Sequence, residues 1–234
     1  MVAIETLNQN HQVRHHNAIT NARHELSAVQ LDIYFMLLSK LKPGVTSGTK
    51  YNIDVNEMER LVGRQWDEDD LQEATDDLIE QVFKIEEADG LLYVPLISRA
   101  EYLPEQGQIQ LSINEPIKPF LVDLRGNFTS FSLVCALRMT AADAKWLYVQ
   151  FSKWKGFGFV SYEVKELIEI LNLEYPDDTS PDQDEYWEQF NENSLEPALR
   201  QINEQADLRI SYATEKEGKA VKKLNFTIKQ AVPS

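Results

Sequence analysis

One order of elements occurs twice along this chain, and that repetition constrains the fold more than any single motif. The first copy opens at Ser27-Ala28-Val29-Gln30, which has the form of a capping box with a hydroxyl at the cap and Gln at N3. Leu31, Tyr34, Phe35, Leu38 and Leu41 recur at helical spacing and form an apolar face, and Pro43-Gly44 stops the helix. Tyr51 to Ile53 reads as a short strand. Asp54 with Glu57 caps a second helix through Met58, Leu61 and Val62, ending at Gly63. Asp67 with Asp70 caps a third, which buries Leu71, Ala74, Leu78 and Ile79. Strands are expected at 82–86, 91–97 and 109–113, the last with Ile109, Leu111 and Ile113 on one face.

The same order then returns. Thr140-Ala141-Ala142-Asp143 reads as another capping box, followed by Trp146, Leu147, Val149, Gln150 and Phe151 on a helix that Gly156 and Gly158 break. Phe159 and Val160 give a short extended piece. Ser161 is expected to cap a helix carrying Val164, Leu167, Ile168 and Leu171. A loop rich in Asp and Pro spans 173–181. Tyr186, Phe190, Leu195, Leu199 and Ile202 mark a long helix, with a kink or fresh start expected near Pro197. Leu208, Ile210 and Tyr212 alternate on a strand, Glu217-Gly218-Lys219 turns, and Val221, Leu224, Phe226 and Ile228 line the return strand with one irregularity before Leu224.

Helix, short strand, helix, helix and hairpin is the order of a winged helix, whose second and third helices form a helix-turn-helix and whose hairpin is the wing. The fold class is therefore α+β: two tandem winged-helix domains related by internal duplication. The expected division is a flexible polar arm over 1–23, a first domain over 24–115, an interdomain segment over 116–131 that includes a packed helix, a second domain over 132–229 and a tail over 230–234.

Charge is distributed unevenly over the 234 residues. The net charge is -15, which as a whole repels nucleic acid and anionic membrane. Yet residues 54–89 carry 14 acids and 3 bases, and residues 170–196 carry 9 acids and no base, whereas 125–165 and 209–229 each carry 6 bases and 2 acids. Positive charge is therefore concentrated in the second half. No apolar run is long enough to span a membrane, and no signal-like segment opens the sequence, so a cytoplasmic protein is expected.

The residues do not suggest catalysis. There is no phosphate-binding loop, no zinc-ligand spacing and one cysteine, Cys135, in the apolar, strand-like run Phe131 to Leu137. Carboxylates mostly fall in consecutive runs, and neighbours on a helix point in different directions. His11, His15 and His16 have a spacing that can hold a metal on a helix, but no carboxylate or cysteine accompanies them. No cofactor or metal is expected, and the protein is read as a non-enzyme.

Basic positions are more informative. Lys216 and Lys219 fall in the second hairpin turn, while Lys223 and Lys229 have the parity opposite to Leu224, Phe226 and Ile228 and so face outward. Such lysines either run along phosphates or protect a sheet edge. Arg200 and Gln201 lie on the third helix of the second domain, where Gln can read a base edge and Arg a phosphate or guanine. Arg138 precedes the first helix of that domain, and Lys153 and Lys155 end it. The third helix also carries Glu188, Glu192, Glu196 and Glu204, and its counterpart in the first domain holds eight acids and no base.

Tyr186-Trp187-Glu188-Gln189-Phe190 followed by Leu195-Glu196-Pro197-Ala198-Leu199-Arg200-Gln201-Ile202-Asn203 resembles the initiator replication proteins of plasmids, a family with two tandem winged helices. Asp207 to Tyr212, the Gly218-Lys219 wing, Phe120 to Leu124 with Phe128 to Phe131, and Ala144 to Tyr148 continue the likeness over roughly residues 20–229. The resemblance implies sequence-specific binding of double-stranded DNA at repeated origin sites, repression of the protein's own gene by a dimer, and contact with host replication proteins. It places Arg200, Gln201 and Asn203 on the recognition helix, with Asn203 alternatively bracing its end, and Lys216, Lys219, Lys222 and Lys223 around the wing. Family members are usually basic, and the acids here depart from that pattern. Two other readings stay open: a transcription regulator on the same scaffold, and an acidic protein-interaction module.

Overall fold

The computed structural model describes residues 7–22, 24–44, 48–87, 89–122, 124, 126–173 and 183–231, with the side chains of 183–185 left aside. Residues 1–6 and Arg23 of the expected arm, Asp123 and Arg125, the loop residues 174–182 and the last three residues lie outside them.

Strand β1 (Gln12–His16) and a single turn α1 (Asn17–Thr20) come first. The first winged helix follows as α2 (Ala28–Lys40), β2 (Tyr51–Asp54), α3 (Val55–Val62), α4 (Glu68–Asp77), β3 (Val82–Glu87), β4 (Gly90–Pro95), β5 (Ile97–Leu103) and β6 (Gln108–Ile113). A turn α5 (Lys118–Leu121), strand β7 (Phe128–Ser132) and helix α6 (Leu133–Arg138) lead to the second. That domain is α7 (Ala142–Trp154), β8 (Phe159–Glu163), α8 (Val164–Ile170), α9 (Gln183–Phe190), α10 (Glu196–Gln205), β9 (Leu208–Glu217) and β10 (Ala220–Gln230).

The local signals act as expected at most helix starts. Ser27 Oγ accepts from Gln30 N at 3.2 Å while Gln30 Oε1 accepts from Ser27 N at 2.9 Å, a complete capping box. Asp54 and Asp67 cap α3 and α4, and Gly63 closes α3 at φ 69°, a left-handed conformation that favours glycine. Pro197 sits in the first turn of α10, where its missing N–H is not needed, and a π-helical turn over Asn191–Leu195 joins α9 to it.

The duplication is visible in the sheets. The first domain has the order β2-β6-β5 and the second β8-β10-β9, all antiparallel. The wing of the first domain is therefore β5–β6. The hairpin that directly follows α4 is a separate pair, β3–β4, inserted ahead of it. The sequence alone does not separate the two hairpins. Ser98 to Leu103 lacks a clean apolar alternation, so the sequence gives no sign of β5. Phe83 anchors the inserted hairpin: it is fully buried, edge-on to His24 at 5.4 Å and against Tyr34 at 5.8 Å. Phe83→Ala is expected to destabilise the protein by about 3–5 kcal/mol, read as a lower urea midpoint with an unchanged slope.

The polar N-terminal segment is not an arm from Gln12 onward. β1 pairs with β7 over Gln12↔Ser132 to His16↔Phe128, and Val13, His15, Ile19, Thr20 and Ala22 are buried. Its polarity misleads because the buried groups satisfy one another. Thr20 Oγ1 donates to Thr129 Oγ1 at 2.8 Å, and Thr129 Oγ1 donates to Asn17 Oδ1 at 2.9 Å. Thr20 is then the acceptor for His15 Nε2–H at 3.0 Å, and Tyr34 O–H donates to His15 Nδ1 at 2.7 Å. The strand-like run from Phe131 also divides: the strand ends at Ser132, whose hydroxyl accepts from Cys135 N and starts α6. Cys135 is buried there. Ser161 is not a cap but a residue of β8, bonded to Asn225 Oδ1 at 2.6 Å.

Two helices are buried all round, α2 from Gln30 to Leu38 and α7 from Ala144 to Ser152, so neither shows a marked apolar stripe. They pack against each other and share α6, which joins the two winged helices through one continuous core.

Candidate nucleic-acid interface

In a winged helix the third helix and the wing are the elements that approach a duplex. In the first domain α4 buries Leu71, Ala74 and Thr75 and turns Asp67, Glu68, Asp69, Asp70, Glu73, Asp76 and Asp77 outward. Phosphates brought to that face meet like charge. The second domain differs. Leu199, Ala198 and Ile202 bury one side of α10, leaving Arg200 exposed beside a groove formed with Ser211, Tyr212 and Ala213 of β9. Glu196 and Glu204 border the same groove, and Tyr212 O–H donates to Glu196 Oε1 at 2.7 Å and to Asn191 Oδ1 at 2.8 Å.

Gln201 and Asn203 are committed elsewhere. Gln201 Oε1 accepts from Thr140 N at 2.9 Å and Ala141 N at 3.3 Å. The expected Thr140 capping box is thus not formed: Ala141 is the cap residue of α7, and a side chain from α10 takes the place of its own. Asn203 Nδ2 donates to Ile210 O at 2.9 Å and its Oδ1 accepts from Ile210 N at 2.6 Å. Ile210 lies on the edge strand of the sheet, so Asn203 satisfies a backbone pair that β10 does not. Of the three expected reading residues, only Arg200 presents its head group outward.

The wing turns at Gly218, φ 64°, in the two-residue loop between Glu217 and Ala220. Lys216 and Lys219 are exposed there. The irregularity before Leu224 is a bulge: Val221 faces Lys216 and Lys223 faces Glu215, so Lys222 is the extra residue. A regular strand sends neighbours to opposite faces, but the bulge lets Lys222 and Lys223 line one cleft with Lys216. Lys165 of α8 joins them, a contact that parity along β10 cannot show. Glu163, Glu215 and Glu217 line the same cleft, so its four lysines face three carboxylates.

The remaining basic candidates lie away from the wing cleft. Lys153 Nζ donates to Asn21 Oδ1 at 2.9 Å, and partial burial holds its ammonium below the usual lysine range. Lys155 Nζ donates to Ser130 O at 2.7 Å, and Arg138 ends α6. Lys153 and Lys155 thus tie the end of α7 to the segment after α1 and to β7, at the seam between the domains. Among the described residues no three His, Cys, Asp or Glu side chains converge as a metal site, and no helix is long and apolar enough to cross a membrane.

A family model described as initiator replication protein, WH1, matches residues 12–152, and one described as initiator Rep protein, WH2, matches residues 163–228. The chain belongs to the initiator replication protein family. That family is one of DNA-binding replication initiators, with a winged helix in each half. Among solved structures, this initiator is similar to one described as "Crystal structure of Pi initiator protein in complex with iteron DNA", at 21% identity and a TM-score of 0.79, covering 95% of this chain and 98% of that one. Two structures of domains 2 and 3 of RctB align less well. They share 13% and 12% identity at TM-scores of 0.47 and 0.44, covering 88% and 86% of this initiator and 82% and 80% of those chains.

The brace at Asn203 gives the initiator a test of its own. Asn203→Ala strands the Ile210 N–H and C=O at the strand edge and is expected to cost about 1–3 kcal/mol. Urea unfolding checks the loss. Asn203→Asp, which keeps the acceptor for Ile210 N, is expected to recover part of it.

Proposed function

We propose that this chain binds repeated double-stranded sites in a plasmid replication origin through its second winged helix, and so starts replication. A dimer of the chain on its own promoter would repress the gene. The observation that carries the reading is the pairing of an outward Arg200 on α10 with a lysine-bearing wing at Lys216, Lys219, Lys222 and Lys223 in one domain of an initiator-family chain. Alignment over nearly its whole length with an initiator crystallised on iteron DNA supports the same arrangement. The protein acts in the cytoplasm on this reading, and host replication proteins are its further partners.

The acidic face of α4 favours a different role for the first domain. Its exposed carboxylates suit a basic protein surface better than a duplex, so self-association or a host protein is assigned to that half.

Binding of the purified protein to duplexes carrying the repeats beside its own gene tests the proposal. Preference over a scrambled duplex by about a thousandfold or more is expected at physiological salt. A plasmid bearing only that origin should then replicate when the protein is supplied. No preference for the repeats would contradict origin binding. Binding without replication would leave a transcription regulator.

A further inference from the structure

The two winged helices meet around a buried charged cluster. Asp32 of α2 is fully buried, as is Lys145 of α7. Lys145 Nζ donates to Asp32 Oδ1 and, at 2.9 Å, to Ala136 O. Arg64, in the turn between α3 and α4, donates to Asp32 Oδ2 at 2.7 Å and to Leu137 O at 3.1 Å. Trp66 Nε1 donates to the same Asp32 Oδ2 at 3.0 Å, and the Arg64 guanidinium lies 4.2 Å over the Trp66 ring. One carboxylate is thus shared by three donors from two domains, and the two cations also hold carbonyls at the end of α6, where backbone acceptors lack helical partners.

We propose that Asp32, Lys145 and Arg64 are positioning residues that fix the angle between the two winged helices. Burying ions in this way adds little stability compared with apolar packing of the same volume. What it supplies is direction. The aromatic contacts at the seam, such as Trp146 on His24 at 4.1 Å and Phe131 near Tyr148 at 6.2 Å, bury area but tolerate sliding. A shift of α2 against α7 by one helical turn would leave the Asp32 carboxylate and the Lys145 ammonium buried and unpaired. Burial alone pushes the Asp32 carboxyl up and the Lys145 ammonium down, and their attraction opposes both shifts, so separating them is strongly disfavoured. Because Arg64 and Trp66 belong to the helix-turn-helix of the first domain, the same bonds set where α4 stands relative to α10.

The angle can be measured without DNA. Spin labels on cysteines introduced at exposed Gln72 of α4 and exposed Ser211 of β9 report the interdomain distance by double electron–electron resonance, since Cys135 is buried. The double variant Asp32→Asn/Lys145→Met removes the ion pair while keeping similar volume. Its distance distribution is expected to broaden by about twofold, as for domains not held by specific contacts. Arg64→Met, at a side chain already 30% exposed, is expected to broaden it less and keeps the test open if the double variant does not fold. Distributions as narrow as wild type in the folded variants would overturn the proposal.

Discussion

Stability is expected to fall steeply as the pH drops below 6.5, well before most carboxylates are protonated. His15 and His24 are both buried, and each is held neutral with a pKa lowered from 6.5 to about 3. For His15 the largest cause is burial, followed by the like charges of His24 and His16; for His24 it is burial. The hydrogen bonds agree with the neutral form. Tyr34 donates to His15 Nδ1, so a second proton there meets a donor, and His24 Nδ1 already accepts from Leu26 N at 3.1 Å. Between pH 6.5 and 3 the unfolded chain takes up these protons while the folded one does not. The contribution is therefore complete above 6.5 and is lost as the pH falls toward 3. Each histidine gives a slope of at most about 1.4 kcal/mol per pH unit, so the two together cost about 4 kcal/mol by pH 5. That is a large fraction of the stability of an ordinary domain. Urea unfolding at pH 8, 7, 6 and 5 measures the slope, and His24→Phe, which keeps a ring between Phe83 and Trp146, should reduce it by about half. A flat profile from pH 7 to 5 would mean that neither imidazole is held neutral by the fold.

These two histidines also mark where the sequence was hard to read. A segment with His11, Arg14, His15, His16 and Asn17 has little apolar content, and its only apolar guide at alternating spacing is Val13. Its burial depends on partners far along the chain, Tyr34, Thr129 and Gln150, which donates to Thr20 O. By contrast, the helix starts at Ser27, Asp54 and Asp67 were legible because a cap is a contact over two or three residues. The parity of β10 was legible for the same reason, including the place of its irregularity. Local reading failed where a longer-range partner replaced a local one. Thr140 has the sequence of a cap, yet Gln201 supplies the bond. Leu133 to Leu137 is apolar enough for a strand, yet Ser132 starts a helix whose end is held by Lys145 and Arg64.

The same limit applied to the candidate site. Arg200 follows from its place on the third helix, Lys216 and Lys219 from the hairpin turn and Lys223 from strand parity, all local signals, whereas Lys222 enters only through the family likeness. That Asn203 is tied to Ile210, that Lys165 joins the wing cleft, and that Lys153 and Lys155 belong to the interdomain seam are facts of packing. The family likeness places Asn203 on the recognition helix; the residue lies on α10, and its amide is engaged on both sides by Ile210. The carboxylates in both grooves set a modest local charge, so a wing lysine should contribute through direct phosphate contact more than through long-range attraction.

Charge reversal on the second domain has the other large expected effect and tests the central claim most directly. Binding to one repeat from the protein's own replicon would be followed by fluorescence anisotropy between about 50 and 200 mM salt, where phosphate contacts dominate the dependence. Arg200→Glu and Lys216→Glu/Lys219→Glu are compared with Arg99→Glu on the wing strand β5 of the first domain. All of these side chains are exposed, so folding should be unaffected. The account predicts that each second-domain variant binds at least about a hundredfold more weakly, with a salt slope shallower by about 1 per lost phosphate contact, while Arg99→Glu changes affinity by less than about threefold. Wild-type affinity and slope in both second-domain variants, or a loss confined to Arg99→Glu, would show that the duplex is not held by the second winged helix.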